Sequence, residues 1–254
     1  MEIYTKRNKE PNRTFIVAEI GLNHNGDIKT AKNLIHFANL AGVDACKFQV
    51  YWSIPSCKKY NFTKRQWRDL FVLCEGWGME WFATPFDLEA VKWLDKMEMC
   101  RWKLPSNKIV LEDNDLLNEI AKAKNRQSTI ISTGISGNKQ IKKLIDLFND
   151  KPYALLHCVS KYPTPEHILN LGRIKYLKGI FNCPVGFSDH STSTTAPLAA
   201  VKLGAEIIEK HLTLNRNMEG PDHVASLEPH EFAKMVKNIR NYEADNDLYS
   251  NFAN

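Results

Sequence analysis

The chain has 254 residues, 43% of them hydrophobic and 25% charged, with a formal charge of +5. That is the balance of a soluble globular protein long enough to bury a large core. Its lysines are dispersed, without the basic stripe or module that nucleic-acid binding requires, so small anionic substrates are the expected partners of its cations. No apolar run reaches membrane-spanning length, and the opening stretch from Met1 to Arg7 is too polar for a signal peptide. Six cysteines (Cys46, Cys57, Cys74, Cys100, Cys158 and Cys183) lack the spacing of a zinc ribbon or disulfide framework. A reduced, cytoplasmic protein with neither membrane nor nucleic-acid partners is expected.

In chain order, short β-type runs alternate with amphipathic segments. Strands are predicted at Phe15–Gly21, Ala45–Val50, Trp81–Phe86, Arg101–Ser106, Ser128–Gly134, Tyr153–Ser160, Pro184–His190 and Glu206–Thr213. Helix-like stretches such as Ile28–Ala41, Lys64–Trp77, Asp87–Met97, Leu116–Ala123, Lys139–Phe148 and Thr195–Leu203 fall between them. In the first of these, Ala31, Leu34, Ile35, Ala38 and Ala41 recur three and four apart, one face of a helix. Gly42, Gly78 and Gly204 stand where helix-ending glycines belong. Eight strands alternating with helices predict a parallel sheet, and eight is the number that closes a (β/α)8 TIM barrel. No glycine-rich phosphate loop follows any strand, which disfavours an open nucleotide-binding sheet. A last helix is predicted over Pro229–Tyr242, and a frayed tail over 246–254. The whole of 1–254 reads as one domain.

A barrel collects its chemistry at the carboxyl ends of its strands. There the chain places Glu19, then Lys47 and Gln49 on one face by the period of two. Farther along come Thr84, Lys103, Ser106, Ser132 and Thr133, then Ser160 and Tyr162, and finally Ser188, Asp189 and His190 followed by Glu209, Lys210 and His211. Two imidazoles at neighbouring strand ends, with Asp222 and His223 just downstream, suit a divalent metal. Lysines and hydroxyls on rigid strand ends suit a phosphate and a carboxylate together, and phosphoenolpyruvate carries both. Plainer roles compete for some of these residues. Lys47 reads alternatively as a lysine reaching out of a strand end. His157 reads as a hydrogen-bonded core histidine, and His24 as either a site residue or a turn residue. His36, His167 and His230 are assigned no role.

Several segments, in order, resemble the N-acetylneuraminate (sialic acid) synthase family. They are Ala18 to Gly26 (AEIGLNHNG), Lys47-Phe48-Gln49, Thr84-Pro85-Phe86-Asp87, Ser132-Thr133-Gly134, Leu156-His157-Cys158, Tyr162-Pro163-Thr164-Pro165, Gly186 to His190 (GFSDH), Glu209-Lys210-His211 and Gly220-Pro221-Asp222-His223. The similarity spans about residues 13 to 240. It implies a TIM barrel that condenses phosphoenolpyruvate with an amino-sugar aldehyde, N-acetylmannosamine or a related hexosamine, giving a nonulosonic acid and phosphate. A barrel synthase for another aldose or aldose phosphate, and an impaired sugar-binding barrel, are the alternatives.

The resemblance further implies that His190 and His211 hold a divalent metal, manganese first, with magnesium or cobalt as substitutes. It places Lys47, Thr84, Lys103, Ser106, Tyr162 and Ser188 around phosphoenolpyruvate, with Gln49 and Ser160 beside them and Asp222 near the sugar hydroxyls. Glu19 matches the catalytic carboxylate at C2, and Lys47 and Lys103 neutralise the anion. The chain departs from the family's pattern at three places. It stops before the usual C-terminal antifreeze-like domain, so acceptor discrimination is expected to be weak or to come from another chain; a homodimer is the expected assembly, with a separate antifreeze-like protein as a further partner. The usual Gly-Glu after the strand-four serine is Asn107-Lys108, a reversal of charge. The loop Tyr51–Tyr60 is short.

Overall fold

The computed structural model describes residues 13–252, with side chains up to residue 246. Eight parallel strands close in chain order into a single barrel. They are β1 (Phe15–Gly21), β2 (Ala45–Val50), β3 (Glu80–Pro85), β4 (Arg101–Leu104), β5 (Ser128–Ser132), β6 (Tyr153–Cys158), β7 (Val185–Asp189) and β8 (Ile207–His211). Closure is made by β1 against β8, with Phe15 opposite Ile207 and Glu19 opposite His211. This is the (β/α)8 fold expected from the alternation.

The helices form the outer ring: α1 (Ile28–Ala41), α2 (Lys64–Gly76), α3 (Leu88–Lys96), α4 (Lys108–Glu112), α5 (Asn114–Ala121), α6 (Asn138–Phe148), α7 (Gly172–Phe181), α8 (Ala196–Lys202) and α9 (Pro229–Phe252). Local chemistry sets their ends. Asp27 caps α1 by accepting from the Thr30 N–H, and Gly42 closes it at φ 80°. Thr63 and Gln66 form a reciprocal capping box on α2. Outside β2 and β3, Trp67 packs on Phe48, Phe62 and Trp81 at centroid distances of 4.9–6.1 Å. At the amino-terminal end of the barrel, buried Asp44 accepts from the Ile16 N–H and from Arg240 of α9. Arg240 also donates to the Thr14 carbonyl.

Strands β4, β5 and β6 are shorter than their apolar runs. Pro105 cannot donate to a ladder, so Ser106 leaves the sheet after β4; Gly134 turns the chain at φ 35° after β5, and β6 ends at Cys158, which leaves Ser160 in a rim loop. Asn107 caps α4 by accepting from the Ile109 N–H, and Lys108 opens that helix, exposed and 3.7 Å from Glu112. Helix α9 continues past Tyr242. All but Asn246 of the stretch expected to fray, 246–254, lies beyond the residues whose side chains are described, as does the N-terminal stretch 1–7. No helix among the described residues is long and apolar enough to cross a membrane.

Candidate active site

Alternation along the strands decides which side chains enter the mouth. Lys47 and Gln49 of β2 share the inner face, as do Ser188 of β7 with the following His190, and Glu209 with His211 of β8. Across the ladders Glu19 lies opposite both Lys47 and His211, and Ser188 lies opposite Glu209. The result is one cavity of about 400 Å³ at the carboxyl ends of the strands. Every residue to which the resemblance assigned a catalytic, substrate or metal role lines it: Glu19, Lys47, Gln49, Thr84, Lys103 and Ser106 from the first four strands and the loop after them, and Ser160, Tyr162, Ser188, His190, His211 and Asp222 from the rest of the chain.

Four buried charges form its floor. Lys47 Nζ lies 2.5 Å from Glu19 and 3.6 Å from Glu209, while Lys103 Nζ lies 3.7 Å from Glu209. Lys103 also donates to Ser132 Oγ at 2.7 Å and to the Leu104 carbonyl at 3.1 Å. The two carboxylates are driven in opposite directions. Burial pushes Glu19 up to about 7; Lys47 opposes that rise and Glu209 reinforces it. Burial also acts to raise Glu209, but Lys103, Lys47 and the Ser188 hydroxyl outweigh it and hold the group at about 2. Carboxyls separated in this way divide the work of proton exchange and permanent charge. Gln49 donates to Glu19 at 3.3 Å and accepts from the Tyr51 hydroxyl at 2.7 Å, and Tyr51 stacks on Phe86 at 4.1 Å.

The rim is built from hydroxyls and imidazoles. Ser106 and Ser160 share a hydrogen bond of 3.0 Å packed over Gly134. His190 places Nδ1 2.8 Å from the Val159 carbonyl, which can only accept, so Nδ1 carries the proton and Nε2 is left basic. That nitrogen accepts from the Tyr162 hydroxyl at 3.0 Å, the two rings lying 4.1 Å apart. Burial, aided by His211, lowers His190 to about 4; burial, aided by Lys47, lowers His211 to about 3. Both imidazoles are therefore neutral at pH 7, the state that binds metals.

Their centroids are 5.8 Å apart, and His211 Nδ1, buried without a hydrogen-bond partner, lies 3.9 Å from Asp222. Among the described residues no three His, Cys, Asp or Glu side chains form a closed metal cluster. The donor set fits a divalent ion held by two nitrogens, with its other positions left to water and substrate oxygens.

A family model described as the NeuB family matches residues 53–247. The chain belongs to the NeuB family. It is thereby an enzyme of a phosphoenolpyruvate-condensing synthase family. Among its relatives, an uncharacterized protein of Methanocaldococcus jannaschii is 41% identical over 240 residues, 89% of this chain and 70% of that one. The N,N'-diacetyllegionaminic acid synthase of Campylobacter jejuni is 34% identical over 257 residues, 90% of this chain and 76% of that one. The solved structure of the N-acetylneuraminic acid synthetase from Leptospira borgpetersenii, in complex with citrate, superposes with a TM-score of 0.83 at 35% identity, covering 90% of this chain and 83% of that one.

Within this NeuB barrel some residues stand apart from the sequence reading. Glu209 was named at the end of β8 without a role, yet it contacts both lysines; its place two residues before His211 was the available signal. Ser132, Tyr51 and Phe86 line the cavity as well. His223, read alongside the metal residues, instead bonds Thr213 at 2.7 Å and does not line the cavity. His157 is a core residue whose Nε2 lies 2.7 Å from the Leu169 carbonyl, and buried His24 packs on Phe62 at 4.6 Å.

Proposed function

We propose that this chain condenses phosphoenolpyruvate with an amino-sugar aldehyde and water to give a nonulosonic acid and phosphate. The observation that carries this reading is the floor of the cavity: two buried lysines between carboxyls of opposite proton affinity, facing two neutral imidazoles. Lys47 and Lys103 neutralise the phosphate and carboxylate of phosphoenolpyruvate, and Thr84, Ser106, Ser160, Tyr162, Ser188 and Gln49 orient it by hydrogen bonds. Asp222, across the mouth, accepts from hydroxyls of the sugar.

C3 of the enol phosphate attacks the aldehyde carbon, forming the carbon–carbon bond as the carbonyl π pair moves onto the aldehyde oxygen, which takes a proton from Glu19, and leaving positive character at C2. Water adds there, and Glu19, with its pKa near 7, takes the proton. Glu209 stays ionised and stabilises the cationic carbon from below. Collapse of the tetrahedral adduct breaks the bond from C2 to the phosphate oxygen: phosphate leaves with the electron pair, and the C2 hydroxyl gives its proton to solvent as the keto group forms. His190 and His211 would hold a divalent ion, manganese first, which supplies Lewis acidity toward the aldehyde oxygen when bound.

The relatives' names include more than one nonulosonic acid, which makes the acceptor the open variable. Purified protein with manganese is offered phosphoenolpyruvate and, separately, N-acetylmannosamine, a doubly acetamido hexose, mannose and aldose phosphates, and phosphate release is followed. Turnover restricted to acetamido aldoses supports the proposal. Turnover with an unacylated aldose or aldose phosphate reassigns the acceptor, and binding without turnover reassigns the chain to a sugar-binding barrel.

A further inference from the structure

Each of the two rim histidines follows a residue whose side chain points the other way. Ser188 and His190 enter the mouth, so Asp189 faces outward; Glu209 and His211 enter it, so Lys210 faces outward. Asp189 and Lys210 are cross-strand partners in the β7·β8 ladder. Their side chains meet at 2.6 Å, both wholly buried between barrel and helices. The contacts continue around His190. Asp189 Oδ1 accepts from the Ser191 N–H at 2.8 Å, and Lys210 Nζ donates to the Ser191 carbonyl. Both backbone groups of the residue after His190 are thus gripped by one ion pair. The His190 carbonyl itself accepts from the Thr164 N–H at 2.8 Å.

A buried ion pair is a poor means of adding stability, because desolvating two charges consumes what their attraction returns, and apolar replacements are often as stable or more so. Its distinctive contribution is direction: it fixes two strands and one loop residue in a single arrangement. We propose that Asp189 and Lys210 are a positioning pair that sets the spacing and orientation of His190 and His211 from the outer face of the barrel. The inference rests on those histidines being the metal ligands, and it adds residues that never touch metal or substrate.

The test compares the wild type with the apolar double variant Asp189→Leu/Lys210→Met. Three quantities are measured: thermal midpoint, manganese affinity from the electron paramagnetic resonance of the free ion, and the NMR signal of the His190 Nδ1–H in metal-free protein. The double variant is expected to keep or raise its thermal midpoint while binding manganese about 10–100-fold more weakly, the usual cost of losing an outer partner of a ligand. Its His190 Nδ1–H signal, protected in the wild type by the Val159 carbonyl, is expected to be lost to exchange. Lys210→Arg alone, which keeps a cation against Asp189, is expected to retain most of the affinity and the signal. A folded double variant with unchanged affinity and an intact Nδ1–H signal overturns the proposal.

If the double variant does not fold, Asp189→Asn is read by the same two quantities: it keeps an acceptor for Ser191 but removes the negative charge that Lys210 faces. Unchanged values there also overturn the proposal. Wild-type affinity that survives His211→Ala overturns the metal reading instead, and the metal-free Nδ1–H signal then still decides whether the pair positions His190.

Discussion

Lys103 sits 2% exposed at the barrel floor, with burial lowering its pKa against the pull of Glu209. A substrate anion that reaches it gains a charge-assisted contact worth roughly 1.5–3 kcal/mol. Lys103→Ala is therefore expected to raise the KM for phosphoenolpyruvate about ten- to a hundredfold, measured by steady-state phosphate release. An unchanged KM would assign this lysine to the core. His24 makes a different prediction, for stability. Its Nδ1 accepts from the Gly26 N–H at 3.0 Å, and burial lowers its pKa from 6.5 to about 3. Between those values the unfolded chain binds a proton that the folded chain refuses. The stability from this residue is thus full above pH 6.5 and is lost as pH falls toward 3. His24→Phe, which keeps a ring against Phe62, is expected to shrink the stability lost between pH 7 and 5 by about 2 kcal/mol relative to wild type, measured by urea unfolding.

At the scale of elements, turns matter more than strand interiors. Gly134 links β5 to α6 at φ 35°, and a Cβ there would stand 2.4 Å from Ser106 Cβ and 2.8 Å from Ser160 Oγ. Gly134→Ala is expected to part these two serines and lower kcat/KM for phosphoenolpyruvate at least tenfold, about 1.4 kcal/mol. Asp27→Ala, which removes only the cap of α1, is expected to lower stability by about 0.5–2 kcal/mol with turnover unchanged. The same distinction governs how much could be read in advance. Strands bounded by turn residues, and α1 with its clean apolar stripe, were legible almost to the residue. Helix α4 was not, since five residues carry no usable period. Nor was α7, whose exposed Tyr176 and Ile180 blur the stripe made by buried Ile174 and Leu177. In the site, residues with a recognisable chemistry at strand ends were legible. The bond network around Glu209 was not, because it depends on which strands become neighbours when the barrel closes.

For the molecule as a whole, core and site are separable. The barrel is closed by apolar packing and by β1 against β8, while the metal-binding candidates sit at one rim. Chelation is expected to abolish turnover without unfolding the chain. Restoring manganese to about a hundredfold excess over its dissociation constant adds about 2.7 kcal/mol of stability. The thermal midpoint should then rise by about 5–10 °C, measured by calorimetry. The floor of the mouth has one more consequence. Its two lysines and two glutamates cancel one another, so an incoming anion competes with Glu19 for Lys47 and leaves that carboxyl beside added negative charge. Its proton affinity rises further from about 7, and at neutral pH the complex draws a proton from solution. The heat of phosphoenolpyruvate binding to metal-free protein at pH 7 should therefore depend on the buffer that donates the proton. Binding should be less exothermic in Tris than in Pipes, and the difference should vanish in Glu19→Gln. The enzyme would thus take up one proton along with its substrate, the proton that the aldehyde oxygen needs as it becomes a hydroxyl, and Glu19 is ionised again before water adds.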